Sequence, residues 1–224
     1  MPVIYIYLRH GPKEYKNGRA TRGRPQHDPP ITRSSISFCQ EVGTFLIKNY
    51  GIPKIVIVSP YLRTRQTGKL LTNSLPYYIK NRFYTDNNIA EYLGNLEGNI
   101  DVTNETLDYA TDPVSNQLLL KMGETKHEFN FRIKEHLSML QITTSDEEDV
   151  FDSKTTVVWV VTHGYTISTI YNILKEKGFT GCDIDSYYPE EMEGLIIKMD
   201  GKESTISLLK TSPPIEEDTT QNIL

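Results

Sequence analysis

Three apolar runs in this chain end on residues that handle charge. VIYIYL (Val3 to Leu8) leads into Arg9-His10-Gly11, KIVIVSP into Tyr61-Leu62-Arg63-Thr64-Arg65, and TTVVWVV into Thr162-His163-Gly164. An imidazole exchanges protons near neutral pH and is a competent nucleophile. A guanidinium fork matches the oxygens of a tetrahedral oxyanion two at a time. Arg63 also stands at the mouth of a helix, whose free amides and dipole attract anions. A single strand-end arginine reads as a surface ion pair, and a single histidine at a loop start reads as nothing special. Jointly, Arg9, His10, Arg63 and His163 describe a pocket for an oxyanion, phosphate above all. The residues alone leave the two histidines nearly equivalent, except that Arg9 adjoins His10. The glycine after each histidine lets the chain leave its strand sharply, with no Cβ to crowd a bound group.

The elements that must position these residues alternate. VIYIYL, KIVIVSP and TTVVWVVTHG read as short buried strands, continuously apolar rather than alternating. The segment after Thr32 reads as a helix with Ile36, Val42, Phe45 and Leu46 near one face, ending by Gly51. YLRTRQTGKLLTNSL reads as a second helix closed by Pro76, and RFYTDNNI as a weak strand or loop. Phe129, Ile133, Leu137 and Leu140 recur at helical spacing behind a capping box formed by Thr125 and Glu128. TISTIYNILKEKG is a further helix. GLIIKM and STISLLK, joined by a DGKE turn, predict a hairpin. The expected fold is therefore α/β, with a mostly parallel central sheet, helices on both faces and an antiparallel C-terminal edge. One domain over residues 1–210 is expected, followed by an acidic, disordered tail over 211–224. SDEED (Ser145 to Asp149) reads as a solvated loop.

Composition excludes several classes of function. A net charge of −5 over 224 residues argues against bulk nucleic-acid binding. No apolar run approaches the roughly 18 residues of a membrane span, and MPVIYIYLRHG lacks the marks of a signal peptide. Cys39 and Cys182 are too few for a disulfide framework and have no zinc spacing. A cytoplasmic protein without metal or other cofactor is expected. There is no GxGxxG or GxxxxGK[ST] loop after any strand, which argues against a nucleotide-binding fold. Oligomeric state stays open, a homodimer included.

LRHG, SPYLRTRQT and THG, in this order, resemble the histidine phosphatase superfamily, which includes the cofactor-dependent phosphoglycerate mutases. The resemblance runs from Ile4 to about Leu174. HDPPIT (His27 to Thr32) is similar to the family's D-x-P-L-T segment, IAEYLGNLEG (Ile89 to Gly98) to its L-x-E…G-x-x-E-G segment, and MGETKHEFNFRI (Met122 to Ile133) to its G-E-S…R stretch. The resemblance implies a phosphoglycerate mutase-like fold and a nucleophilic His10 that forms a phosphohistidine. Arg9, Arg63 and His163 are implied to hold the phosphoryl oxygens, and Glu91 to serve as acid and base. Many relatives have four steps from this glutamate to the following glycine, whereas Glu91 to Gly94 is three. Glu97 is the fallback. Ser35 stands where the family has glycine, and the loop from Pro12 to His27 is long and basic, either a lid or an ordinary surface loop. Tyr61 reads as a surface or rim aromatic. EYLGN replaces the mutase pattern E-R-H-Y-G, which favours a phosphatase acting on a phosphorylated small molecule or phosphopeptide. The alternatives are a mutase-type phosphotransferase or a weakly active member used for binding.

Overall fold

A computed structural model of the chain describes residues 2–14, 29–73, 75, 82–92, 124–142, 155–201 and 203–211. Its centre is a six-stranded sheet. Strand β1 (Val3–Arg9) pairs in parallel with β4 (Thr156–Thr162), Arg9 facing Thr162. On its far side β4 pairs in parallel with β2 (Ile55–Val58), which pairs in parallel with β3 (Phe83–Thr85). The other edge is an antiparallel hairpin, β5 (Gly194–Asp200) and β6 (Glu203–Leu209), with β5 antiparallel to β1. Gly201 turns that hairpin at φ +61°, where a side chain would be strained.

Both faces of the sheet are covered, which explains the unbroken apolar strands. Tyr5, Tyr7, Val158 and Val160 point to one side. There they join Phe129, Ile133 and Leu137 of α3 (Lys126–Ile142) and Ile167, Ile170 and Leu174 of α4 (Gly164–Glu176). The intervening Ile6, Leu8, Trp159 and Val161 point to the other side. They meet Phe38, Val42 and Leu46 of α1 (Ser35–Tyr50) and Leu71 of α2 (Leu62–Leu71). The α/β fold with its antiparallel C-terminal edge is as the sequence predicts.

Two local expectations are revised, and a third, at RFYTDNNI, resolves into defined elements. In α1 the buried stripe is Ser35, Phe38, Cys39, Val42, Gly43 and Leu46, while Ile36 and Phe45 are exposed. At roughly 100° per residue these two lie about 90° either side of the stripe's centre, on its flanks. The second helix ends at Leu71, where the hydroxyl of Thr72 donates to the Gly68 carbonyl at 3.0 Å, ahead of Pro76. The RFYTDNNI segment divides into β3 and a 3₁₀ turn over Asn87–Ile89. The Thr125–Glu128 capping box is present: the Thr125 amide donates to Glu128 Oε2 at 2.8 Å, and the Glu128 amide to Thr125 Oγ1 at 3.2 Å. SDEED, Pro76, Glu97, residues 212–224 and most of the Pro12–His27 loop lie outside the described residues. Among the described residues no helix is long and apolar enough to cross a membrane.

Helices α1 and α2 approach closely at Gly43. A Cβ built on Gly43 would lie 2.3 Å from the Leu71 carbonyl oxygen, a backbone atom that cannot swing away. Gly43→Ala therefore forces the two helices apart. It should lower the unfolding free energy by about 1–3 kcal/mol, read from the urea midpoint at unchanged m-value.

Candidate active site

Strand register brings the two histidines together. Arg9 faces Thr162 across β1 and β4, and the His10 amide extends that ladder to the Thr162 carbonyl at 3.0 Å. The next residue on each strand is then a histidine, and the His10 and His163 rings meet edge to face at 5.4 Å between centroids. On the other flank of β4, the Ser59 amide donates to Val161 O at 2.9 Å, continuing the β2–β4 pairing past its formal end. This sets Ser59 Oγ 2.7 Å from His163 Nε2. The helix that follows begins at Leu62, so Arg63 sits in its first turn and reaches back over the strand ends, 1% exposed.

Hydrogen bonding fixes both tautomers. His10 Nδ1 is 2.8 Å from the Gly11 carbonyl, an acceptor only, so Nδ1 carries the hydrogen and Nε2 keeps its lone pair. His163 is the reverse: Arg63 Nη2, a donor only, is 3.2 Å from Nδ1, so the hydrogen is on Nε2 and is donated to Ser59 Oγ. Burial, then the Arg63 charge, hold His10 well below its ordinary pKa; Arg9 and Lys13 add to this, while the Gly11 hydrogen bond works against it. Burial followed by Arg63, His10, Lys13 and Arg132 does the same to His163. Both imidazoles are neutral at pH 7.

Arg63 also pairs with the carboxylate of Glu91, so the glutamate expected as acid and base reaches this cluster. His10, Arg63, Glu91 and His163 are thus brought together from four separate segments. Arg9 adjoins His10, and its side chain contacts a further segment. Its Nη1 donates to the Pro189 carbonyl at 2.8 Å, and its guanidinium lies 5.4 Å from the Tyr188 ring. Its buried Nε has no hydrogen-bond partner among the described residues. Of the basic Pro12–His27 loop, Lys13 is described and bridges to Ile31.

Several residues at the site gave no functional signal in the sequence. Tyr61 is not a rim aromatic. It is buried, packs on His163 at 4.8 Å and lies under the Arg63 guanidinium at 4.5 Å, because a desolvated cation is stabilised by a π face. Thr67 Oγ1 accepts from the Gly11 amide at 2.9 Å, tying the turn after His10 to α2. Ser59, Thr67 and Tyr61 all fall inside SPYLRTRQT, so spacing around Arg63 was the available clue. The two glycines are required by packing within the protein itself. A Cβ on Gly11 would come 3.0 Å from Cys39 Sγ, and one on Gly164 would come 2.7 Å from Tyr188 Cζ. They make room for neighbouring side chains. Among the described residues no group of three or more His, Cys, Asp or Glu could hold a metal ion.

The chain aligns over 92% of its length with Bacillus stearothermophilus YhfR, covering 96% of that chain at 19% identity and a TM-score of 0.61. It aligns equally well with a phosphoglycerate mutase from Bacillus anthracis (18% identity, 92% of each chain, TM-score 0.61). A mycobacterial glucosyl-3-phosphoglycerate phosphatase matches at 17% identity over 93% of this chain and 97% of that one, TM-score 0.57. These likenesses define a phosphoglycerate mutase-like α/β fold. The profile of the histidine phosphatase superfamily (branch 1) matches residues 5–203, and the chain belongs to that superfamily. No curated protein sequence matches it.

The two neutral histidines make a prediction with a definite sign. In the unfolded chain each binds a proton below its ordinary pKa of 6.5, whereas in the native state each stays neutral to well below that. The unfolded state then holds more protons, so native stability falls as pH drops below 6.5. Each histidine contributes a slope that grows from about 0.7 kcal/mol per pH unit at pH 6.5 toward about 1.4 as the unfolded chain becomes fully protonated, until the native pKa is reached. Urea melts between pH 6.5 and 5.5 should show this, and His163→Gln should remove one histidine's share of the slope.

Proposed function

We propose that this protein is a phosphomonoester hydrolase that works without a metal through a phosphohistidine at His10. The observation that carries the proposal is the locked tautomer of His10: a buried, neutral imidazole whose Nδ1 hydrogen is engaged by Gly11 O, leaving an Nε2 lone pair beside the buried Arg63 cation. Attack by that lone pair on phosphorus forms the N–P bond as the ester P–O bond breaks. Substrate displaces Glu91 from Arg63, the freed carboxylate takes up a proton, and the departing alkoxide receives that proton. In the second half, water attacks phosphorus, Glu91 accepts a proton from it, and the N–P bond breaks to return imidazole and inorganic phosphate. Arg63, Arg9 and His163 stabilise charge on the equatorial oxygens. For His163 this role requires its Nδ1, now facing Arg63, to gain a proton, or the ring to exchange its partners, when phosphate arrives. The substrate class is a phosphorylated small molecule or a phosphopeptide.

The same pairing implies competition. Arg63 is occupied by Glu91 in the free protein, and a phosphoryl dianion must take its place on that guanidinium. Glu91→Gln should therefore bind inorganic phosphate more tightly than the wild type while losing turnover by about 10²–10⁴-fold. Isothermal calorimetry and steady-state kinetics on the same preparation measure both.

The proposal itself is tested with para-nitrophenyl phosphate in EDTA. Turnover should persist in the chelator, disappear in His10→Ala, and leave an acid-labile, base-stable phosphoryl adduct on a quenched enzyme. Absence of turnover in a wild-type protein that still binds phosphate would sink the hydrolase reading and favour a phosphotransferase or a binding role.

A further inference from the structure

Glu91 follows the 3₁₀ turn after β3, and its approach to Arg63 is set by the backbone just before it. Three successive carbonyls in that backbone are each held by a side chain. Arg132 Nη1 donates to Asn88 O at 2.5 Å and to Ala90 O at 2.9 Å. Thr162 Oγ1, next to His163, donates to Ile89 O at 2.7 Å. Thr166 Oγ1 adds a longer contact to Ala90 O at 3.4 Å. The remaining edge of the Arg132 guanidinium is fully used: Nε and Nη2 bind the two oxygens of Glu124 at 2.6 and 2.8 Å, and that carboxylate is almost wholly buried. One turn on, His136 Nδ1 binds Asp86 Oδ2 at 2.6 Å, and Asp86 Oδ1 accepts the Asn88 amide at 2.8 Å. Both ends of residues 86–90 are thus tied to one face of α3.

We propose that Arg132, oriented by the buried Glu124, is a positioning residue that fixes Glu91 for proton transfer to the leaving group. The inference rests on the reading of Glu91 as the acid. Only an arginine can make this bridge, because its planar fork presents a bidentate edge to Glu124 while a separate nitrogen serves two carbonyls. Arg132 is not itself a catalytic residue, since its hydrogen-bonding partners are Glu124 and backbone carbonyls.

The test exploits the difference between leaving groups. Para-nitrophenolate departs without a proton, whereas a simple alkoxide needs one. Arg132→Met alone would strand the buried Glu124 charge, so the variant to make is Glu124→Met/Arg132→Met, which removes both members of the pair. Its kcat/KM on an alkyl phosphate such as glycerol 2-phosphate should fall about 10–100-fold, a part of what general acid catalysis supplies. On para-nitrophenyl phosphate it should fall far less, with affinity for inorganic phosphate retained. Equal losses on the two substrates would mark a merely structural pair and overturn the proposal, as would no loss on the alkyl substrate. Glu91→Gln, assayed in parallel, separates the two ideas. If it shows the leaving-group signature and the double variant does not, the positioning role alone fails. If Glu91→Gln shows none, the acid reading fails and takes the positioning role with it.

Discussion

The burial of Arg63 is the constraint around which the site is arranged. A guanidinium 1% exposed has lost its water and needs an anion and acceptors in return. Glu91 supplies the anion, His163 Nδ1 an acceptor, and the Tyr61 ring a π face. Much else follows from these contacts. Arg63 fixes the His163 tautomer, which sends the other ring hydrogen to Ser59. Its charge also helps keep both histidines unprotonated. The cluster is therefore also a stability element, since removing Glu91 would leave the buried Arg63 charge without its anion.

The second constraint is the turn after β1, gripped from three sides. Thr67 of α2 holds the Gly11 amide, and Thr162 O holds the His10 amide. From the β5 side, the Met192 amide approaches the Arg9 and His10 carbonyls at 3.2 and 3.4 Å. Met192 is the one described non-glycine residue with positive φ, at +65°. That conformation costs about 1–3 kcal/mol and persists only where the surroundings over-determine it. Here they do: its side chain is fully buried, with Sδ 3.7 Å from the Cys39 thiol. Burial pushes that thiol's pKa up to about 12, so Cys39 is a packing atom and not a nucleophile.

Much of this was legible in the sequence, for a physical reason. Unbroken apolar strands occur where helices cover both faces, so VIYIYL and VVWVV placed β1 and β4 in the interior of a parallel sheet and their terminal histidines at one edge. The Thr125–Glu128 box was readable because capping is local chemistry. What was not legible depends on which neighbour arrives. Ile36 and Phe45 are apolar, but the contact of α1 with α2 at Gly43 rotates them to the flanks. Tyr61 looks like any loop aromatic until Arg63 is known to be desolvated above it. The glycines beside the histidines were explained by a bound group, whereas Cys39, Met192 and Tyr188 occupy the space. Arg132 belongs to a legible motif, but its grip on Asn88 and Ala90 joins segments more than forty positions apart in the chain.

Net charge says little about what such a site attracts. The chain carries −5 overall, yet the charges that act on His10 are Arg63, Arg9 and Lys13, all cationic and close by. In a buried, low-dielectric setting near charges dominate over distant ones that water and salt screen. Burial first, and that field second, keep the histidines neutral, which leaves each an unprotonated ring nitrogen and leaves the positive charge on arginine. Glu91 answers it by pairing with Arg63, which brings its carboxylate into the cluster. One buried cation thus adds to what burial does for the histidines and draws the carboxylate in, so both features of the cluster trace in part to Arg63.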